Sequence, residues 1–470
     1  MGKEKYAASG YLPDEQPGAG KLLLYALQQV IVMFPATVTV ALITGFQVST
    51  TIFASGLATL CFILITGKRI PLYYGSSFAY LTAISSMVAA QGTAEQIASF
   101  QQTGILPAAL ISQAQFGIIM SGLVSIAAGI LVRYMGRGAV EKVLPPAVTG
   151  PVAIIIGLTL AGNALGDAAP QAAQGAVHSG WVWVVSLVTL LSTIVYSRYL
   201  KGLLGQLPLL LGALTGCAAA AILCLASDVD LFRTMSQAAL DSSLWSWGIF
   251  AVPAFSLPRV SWAAVAAIMP IAIATIPEST AHIYQLDVYV DDLAKKKNRK
   301  LNYAMADLLD KNLIGDGICD MISGFVGGPA GTNYGENIST MAITKVFSVP
   351  VLVAASLLAM VISFFTPLIR LVYGIPIAVI GGLEIYLFGA IAVQGIAILI
   401  DKKCDMFSAK NVAVIATILV IGIGGQYRFG GNIPFFGVNV PCIAGAAVFG
   451  ILLNLLLSIG DKKENSQSKE

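Results

Sequence analysis

The chain has 470 residues, a mean hydropathy of +0.81 and only 11% charged residues. Apolar stretches recur from end to end, which excludes an ordinary soluble domain and indicates a polytopic membrane protein. The net charge is only +3, and the six cysteines and two histidines are scattered without a CxxC pair, so no metal site or disulfide framework is expected.

The opening MGKEKYAASGYLPDEQPGAGK has no apolar core before a small-residue cleavage site, so no signal peptide is expected. At about 20 residues per span, apolar segments lie near 22–44, 49–66, 110–132, 146–163, 180–197, 205–226, 262–282, 349–366, 375–400, 411–424 and 437–459. Weaker ones at 76–90, 312–327 and 336–347 are interrupted by Gly, Pro or polar residues, which makes about fourteen. Basic residues alternate with this count. Only Arg233, Arg259, Arg370 and Arg428 of the 27 Lys and Arg fall on one side. The positive-inside rule then puts both termini in the cytoplasm, and a cell inner (plasma) membrane is the expected location. The charge therefore reports topology rather than nucleic-acid binding. The run DDLAKKKNRK (291–300) reads as a solvated cytoplasmic loop.

The stretch YYGSSFAYLTAI (73–84) matches NYGENISTMAIT (333–344) if Tyr74–Gly75 is set on Tyr334–Gly335, an offset of 260. PPAVTG (145–150) likewise matches PIAVIG (376–381). Two halves of seven spans, an odd number, would be inverted, as in secondary transporters whose discontinuous helices meet at a midplane site. Pro71–Gly75 and Gly327–Gly335 read as extended segments leading into helices. Extended backbone at membrane depth requires shielding or a cavity, and the helix starts aim N–H groups at it. Ser76, Ser77, Glu336 and Asn337 would lie there. A carboxylate at the centre of a membrane helix costs about 3 kcal/mol on insertion scales, and a helix N-terminus offsets part of that.

In IPESTAHIYQ (276–285), Glu278 and His282 are spaced i, i+4 and share a helix face. This pair reads either as a proton relay or as a structural pair at the cytoplasmic end of a span. Further on, Glu384 stands one turn before Phe388 inside an apolar run. Facing lipid would carry the full desolvation cost, so it should face the interior, either as a structural acid or as a second proton-coupling group. No Walker A, HExxH or GxSxG motif is present, so neither an enzyme nor a cofactor is expected.

On ENISTMAITK (336–345), GSSFAY (75–80) and IPESTAH, the chain resembles the nucleobase–ascorbate transporter family, or nucleobase:cation symporter-2, and within it the bacterial uracil permeases. The resemblance runs from about Leu27 to Leu455. Ser339 stands where the signature has Gly, and Gln28–Gln29 where the family has Gln-His. It implies an all-α fold of fourteen spans in a 7+7 inverted repeat, with two short extended segments in broken spans. Between an N-terminal tail (1–21) and a C-terminal tail (460–470), it implies core segments 22–135 and 258–370 and gate segments 136–257 and 371–459, dimerising through the gate. It further implies uracil import by proton symport, with sodium the lesser expectation, through alternating access of core against gate. Uracil would meet Glu278, Glu336, Ser77, the backbone N–H groups of Phe78 and Gly335, and the side chains of Ala36 and Tyr334. His282 and Glu278 would serve the proton, and Phe388 would replace a gate tyrosine. The partners expected are a nucleobase, a proton, membrane lipid and a second copy. A xanthine-type purine permease, or an anion exchanger or channel of the related sulfate-transporter fold, is the alternative.

Overall fold

A computed structural model describes residues 10–136, 138, 142–170, 179–202, 204–227, 229–233, 248–299 and 303–459. The expected C-terminal tail 460–470 and the first nine residues of the N-terminal tail lie outside these.

Span 1 is α1 (Ala19–Thr44) and span 2 is α2 (Val48–Ile65). Span 3 is broken, with β1 (Tyr74–Ser76), a 3-10 turn (Phe78–Tyr80) and α3 (Leu81–Gln91). A short helix α4 (Ala94–Thr103) leads to span 4, α5 (Ala108–Met135). Spans 5 to 7 are α6 (Pro146–Thr159) continued by α7 (Ala161–Ala168), then α8 (Ser179–Tyr199) and α9 (Pro208–Ser227).

The second half repeats the order. Span 8 is α10 (Trp262–Ile268), a 3-10 turn containing Pro270, and α11 (Ala272–Lys296). Span 9 is α12 (Leu309–Val326), and span 10 is β2 (Gly331–Asn333) with α13 (Gly335–Thr344). Then follow α14 (Val349–Ile362), the short α15 (Thr366–Tyr373), α16 (Ile377–Asp401) and α17 (Ala409–Phe429). A hairpin of β3 (Asn432–Phe435) and β4 (Val438–Pro441) precedes α18 (Cys442–Leu457). Among the described residues nine helical runs are long and apolar enough to cross a membrane outright. The broken spans 3 and 10, the shorter α14 and α18 and the charged α12 complete the fourteen.

The two broken spans meet each other. Strand β1 pairs antiparallel with β2, in the register Tyr74 with Asn333, Gly75 with Thr332 and Ser76 with Gly331. Flanking bonds run from Ser77 N–H to Ala330 O (3.0 Å) and from Tyr334 N–H to Tyr73 O (2.9 Å). Two strands at equivalent places in inverted halves must run antiparallel where they meet, and pairing satisfies backbone that would otherwise be orphaned at membrane depth. The strand starts are 331 − 74 = 257 positions apart, and so are the starts of the turns after them, 335 − 78 = 257. The sequence match at 260 is therefore three residues out of structural register. Matching Tyr-Gly to Tyr-Gly followed side-chain similarity, whereas the fold equates Tyr74 with Gly331 and Phe78 with Gly335.

Two expectations are corrected at the 262–300 stretch. The span does not end at 282. Leu286, Val290 and Leu293 continue its buried face to Lys296, so Glu278 and His282 sit mid-helix and not at a cytoplasmic end. Nor is the described part of the 291–300 run, 291–299, a free loop: 291–296 complete α11, and Lys297 and Arg299 are tied to the N-terminal segment, while position 300 lies outside the described residues. Leu12 is fully buried, Tyr11 exchanges backbone bonds with the α13–α14 connection (Tyr11 N–H to Lys345 O and Phe347 N–H to Tyr11 O, both 2.8 Å), and Ser348 Oγ donates to Glu15 O (2.6 Å). From the other side, Lys297 Nζ and Arg299 Nη2 donate to the Glu15 carboxylate at 2.5 and 3.0 Å. The segment 10–15 is thus a strap that ties the end of α11 to the end of α13, the two helices that carry Glu278 and Glu336.

Burial raises the Glu15 carboxyl, but the bonds from Lys297, the Leu12 N–H and Arg299 outweigh it and hold it below its ordinary range. A carboxyl depressed in the folded state contributes stability above its unfolded value and loses it as pH falls through the folded one. Glu15→Gln should cost about 1 kcal/mol at neutral pH. In thermal melts from pH 7 downward, the gap to wild type should close below the ordinary glutamate value of about 4.3.

Candidate functional site

The crossing strands deliver two helix starts to one place. Gly335 opens α13, so Glu336 lies in its first turn, where unpaired N–H groups favour negative charge. Across from it Ser77 caps the turn at Phe78, its Oγ accepting from Ala79 N–H at 3.3 Å. The third wall is α11. Pro277 inside it has no N–H to donate, which leaves the preceding turn a free carbonyl, and Glu278 follows directly.

These elements enclose a cavity of about 620 Å³. Ala36, Ser77, Phe78, Tyr334, Gly335, Glu278, Glu336 and His282 all line it, so eight of the ten residues named from the sequence come together. Both carboxylates reach the cavity space, Glu336 as an exposed residue and Glu278 as a half-buried one. No Lys or Arg lines it among the described residues. The cavity extends along α16 past Gln394 to Ile398, towards the loop after Asp401.

Buried polar contacts hold the walls. The Tyr334 hydroxyl donates to Ser76 O (3.0 Å) and lies 3.0 Å from Thr37 Oγ1, which fixes its ring over Gly75. Asn333 Nδ2 donates to Ser279 Oγ (3.0 Å), and Asn312 Nδ2 donates to the same oxygen at 2.7 Å. This ties β2 to α11 and α12. Asn337 Nδ2 donates to Gln29 O and Oε1 at 3.0 and 2.7 Å, docking α13 on α1. His282 Nε2 occupies the space a side chain at position 335 would need, 2.9 Å from where its Cβ would stand.

Two expected residues lie elsewhere. Phe388 is not on the cavity wall. It is buried among Val40, Leu81, Leu160, Ala164 and Leu387, at the end of the cavity away from Ile398. Leu387, Ile391 and Gln394 form the lining face of α16, and Tyr386, bonded through its hydroxyl to Ser197 Oγ (2.7 Å), reaches the cavity too. Glu384 is fully buried, but it does not line the cavity. It points at α7, where Asp167 is the ionisable group facing it and Gly381 lets the Asp167–Ala168 backbone press close. Sequence periodicity put Glu384 on the face of Phe388, and that face turned out to be packed and not open.

A profile of the Permease family, of the xanthine/uracil permease type, matches residues 20–430. The chain belongs to that family, the nucleobase:cation symporter-2 transporters. It is 36% identical over 449 residues to a protein named uracil permease from Bacillus caldolyticus, covering 94% of each chain. It is 34% identical to a uracil permease of Bacillus subtilis strain 168, covering 95% of this chain and 94% of that one. Among solved structures, that of SLC26A9 superposes with a TM-score of 0.62 at 11% identity, over 94% of this chain, which spans 65% of that chain's length. The transmembrane domain of a cyanobacterial bicarbonate transporter, BicA, gives 0.58 at 15% identity, covering 88% of this chain and 98% of that one. At such identities these two show the fold alone. The permease is accordingly a multi-pass membrane transporter and not an enzyme.

The packing of Tyr334 generates a test. A Cβ at Gly75 would collide with its ring, so Gly75→Ala should cost about 1–3 kcal/mol by overpacking. Measured in a Tyr334→Ala background, the added cost of Gly75→Ala should largely vanish in unfolding measurements, because the two sites are in contact.

Proposed function

We propose that this permease imports uracil by proton symport, alternating access between a core and a gate. The observation that carries the reading is one cavity with two carboxylates and two helix-start N–H groups around it. Uracil carries two N–H donors and two carbonyl acceptors. Glu278 and Glu336 can accept from the former, while the N–H groups of Phe78 and Gly335 can donate to the latter. Bonds to a charged partner are the strong ones. Ala36, Ser77 and Tyr334 complete the walls. The names of the relatives support the substrate. That no Lys or Arg lines the cavity among the described residues speaks against an anion exchanger. A purine permease is distinguished by competition between uracil and xanthine for uptake.

The core would be 22–135 with 258–370 and the gate 136–257 with 371–459. In support, one apolar cluster draws chiefly on α1, α2 and α11 to α14, and a separate one joins α8, α9 and α16. Phe388 would serve as packing between the two bodies, closing the end of the cavity away from Ile398. With the basic loop 402–410 on the cytoplasmic side, as the positive-inside rule argues, the open end faces the cytoplasm, and both termini lie there in the inner membrane. Apolar outer faces such as Leu187, Leu191 and Leu225 are suited to lipid or to a second copy in a homodimer through the gate. We assign Glu384 a structural role inside the gate, and the coupled proton to His282 with Glu278 one turn away.

Glu336→Gln should weaken uracil binding by about ten- to a hundredfold, the loss of one charge-assisted bond of about 1.5–3 kcal/mol, with unfolding little changed. Unaltered affinity in the purified variant would remove Glu336 from the site. His282→Ala should retain uracil binding but lose gradient-driven accumulation in proteoliposomes. Persistent proton-driven uptake with the wild-type pH profile would dismiss His282 as the coupling group.

A further inference from the structure

Behind the crossing strands, on the side away from the cavity, stands an acid that no step above uses. Asp320 of α12 is buried at membrane depth, 2% exposed. Its Oδ1 accepts from the Gly331 N–H at 2.8 Å, and the same oxygen accepts from the Tyr74 hydroxyl. Gly331 opens β2 and Tyr74 opens β1. One carboxyl oxygen therefore holds both strands.

The inverted repeat makes this assignment sharper. Tyr74 and Gly331 are structural equivalents, 257 positions apart. In the first half, the Tyr74 N–H is received by Thr59 Oγ1 of α2 at 3.0 Å. In the second half the equivalent N–H, that of Gly331, is received by Asp320 of α12, the span equivalent to α2. A hydroxyl suffices for one strand edge, and it costs far less to bury than a carboxyl. The extra acceptor capacity of a carboxyl is used on the Tyr74 hydroxyl, which comes from the other half of the repeat. Tyr74 packs on Gly331, where a side chain would collide with it, as Tyr334 packs on Gly75. Of these two tyrosines Tyr334 faces the cavity and Tyr74 does not.

We propose that Asp320, through Tyr74, is a positioning residue for the substrate site: it sets the spacing and tilt of β1 against β2. The N–H groups of Phe78 and Gly335, two residues beyond each strand, take their places from that spacing. A substrate read by both N–H groups at once requires the spacing to be held, so the inference rests on the uracil reading for its consequence and not for its geometry.

The test combines Asp320→Ala, Asp320→Asn and Tyr74→Phe in the full-length protein. Amide hydrogen exchange on substrate-free protein reads the strands, and uracil affinity reads the site. Asp320→Ala should speed exchange across 74–78 and 331–335 by about tenfold or more and weaken uracil binding by about tenfold, while exchange in α8 and α9 stays as in wild type. Asp320→Asn keeps an oxygen that can accept both bonds and should restore most of each effect. Tyr74→Phe, which leaves the Gly331 acceptor intact, should give a smaller change of the same kind. If Asp320→Ala does not fold, Tyr74→Phe decides alone. Unchanged exchange in the strands, or a lowered melting temperature with wild-type uracil affinity, would overturn the proposal. Faster strand exchange in a protein whose wild type binds no uracil would sink the substrate reading and leave the brace standing.

Discussion

Extended backbone cannot sit in a membrane unless protein or a cavity shields it from lipid and its hydrogen bonds are met, and the rest of this molecule is arranged around meeting that demand. Tyr74–Ser76 and Gly331–Asn333 satisfy one another by pairing. Their outer edges are met by Ser55 and Thr59 from α2 and by Asp320 from α12. A helix could have crossed there at no such cost. The strands allow two helical segments to begin in mid-membrane, so that the first residues of both line one cavity. The polar side chains buried nearby are required by this choice. Asn312, Ser279 and Asn333 join three elements behind the site, and Gln29 with Asn337 docks α13 on α1.

The cost of Glu336 is met in the same way. It lies in the first turn of a helix that starts inside the protein, so it stands beside helix-start N–H groups and cavity space in place of hydrocarbon. Glu278, inside α11 after Pro277, has the cavity space but no helix-start donors. Two acids on separate helices can then face one small molecule from two directions. The strap at Gly10–Glu15 links the far ends of those helices, so a displacement of α11 against α13 would strain ion pairs outside the membrane. Site and surface are thereby mechanically connected through two rigid helices, without any contact between the strap and the cavity.

Much of this was legible in the chain alone, because membrane burial leaves strong marks in sequence. Span count, broken helices and the placing of Glu278, His282 and Glu336 at one cavity follow from hydropathy and the expense of polar groups in hydrocarbon. What the sequence could not carry is contact between segments distant along the chain. Whether Tyr74 matches Tyr334 or Gly331 depends on strand register, and side-chain similarity pointed to the wrong one. Helical periodicity put Phe388 and Glu384 on one face, but what that face meets is decided by α7 and α1. Phe388 is therefore packed away from the cavity, and Glu384 meets Asp167. The basic run after Asp291 looked solvated because its partners, Asp14 and Glu15, lie nearly three hundred residues earlier. Local physics writes the cost of each group into the sequence, and only tertiary packing decides which neighbour meets it.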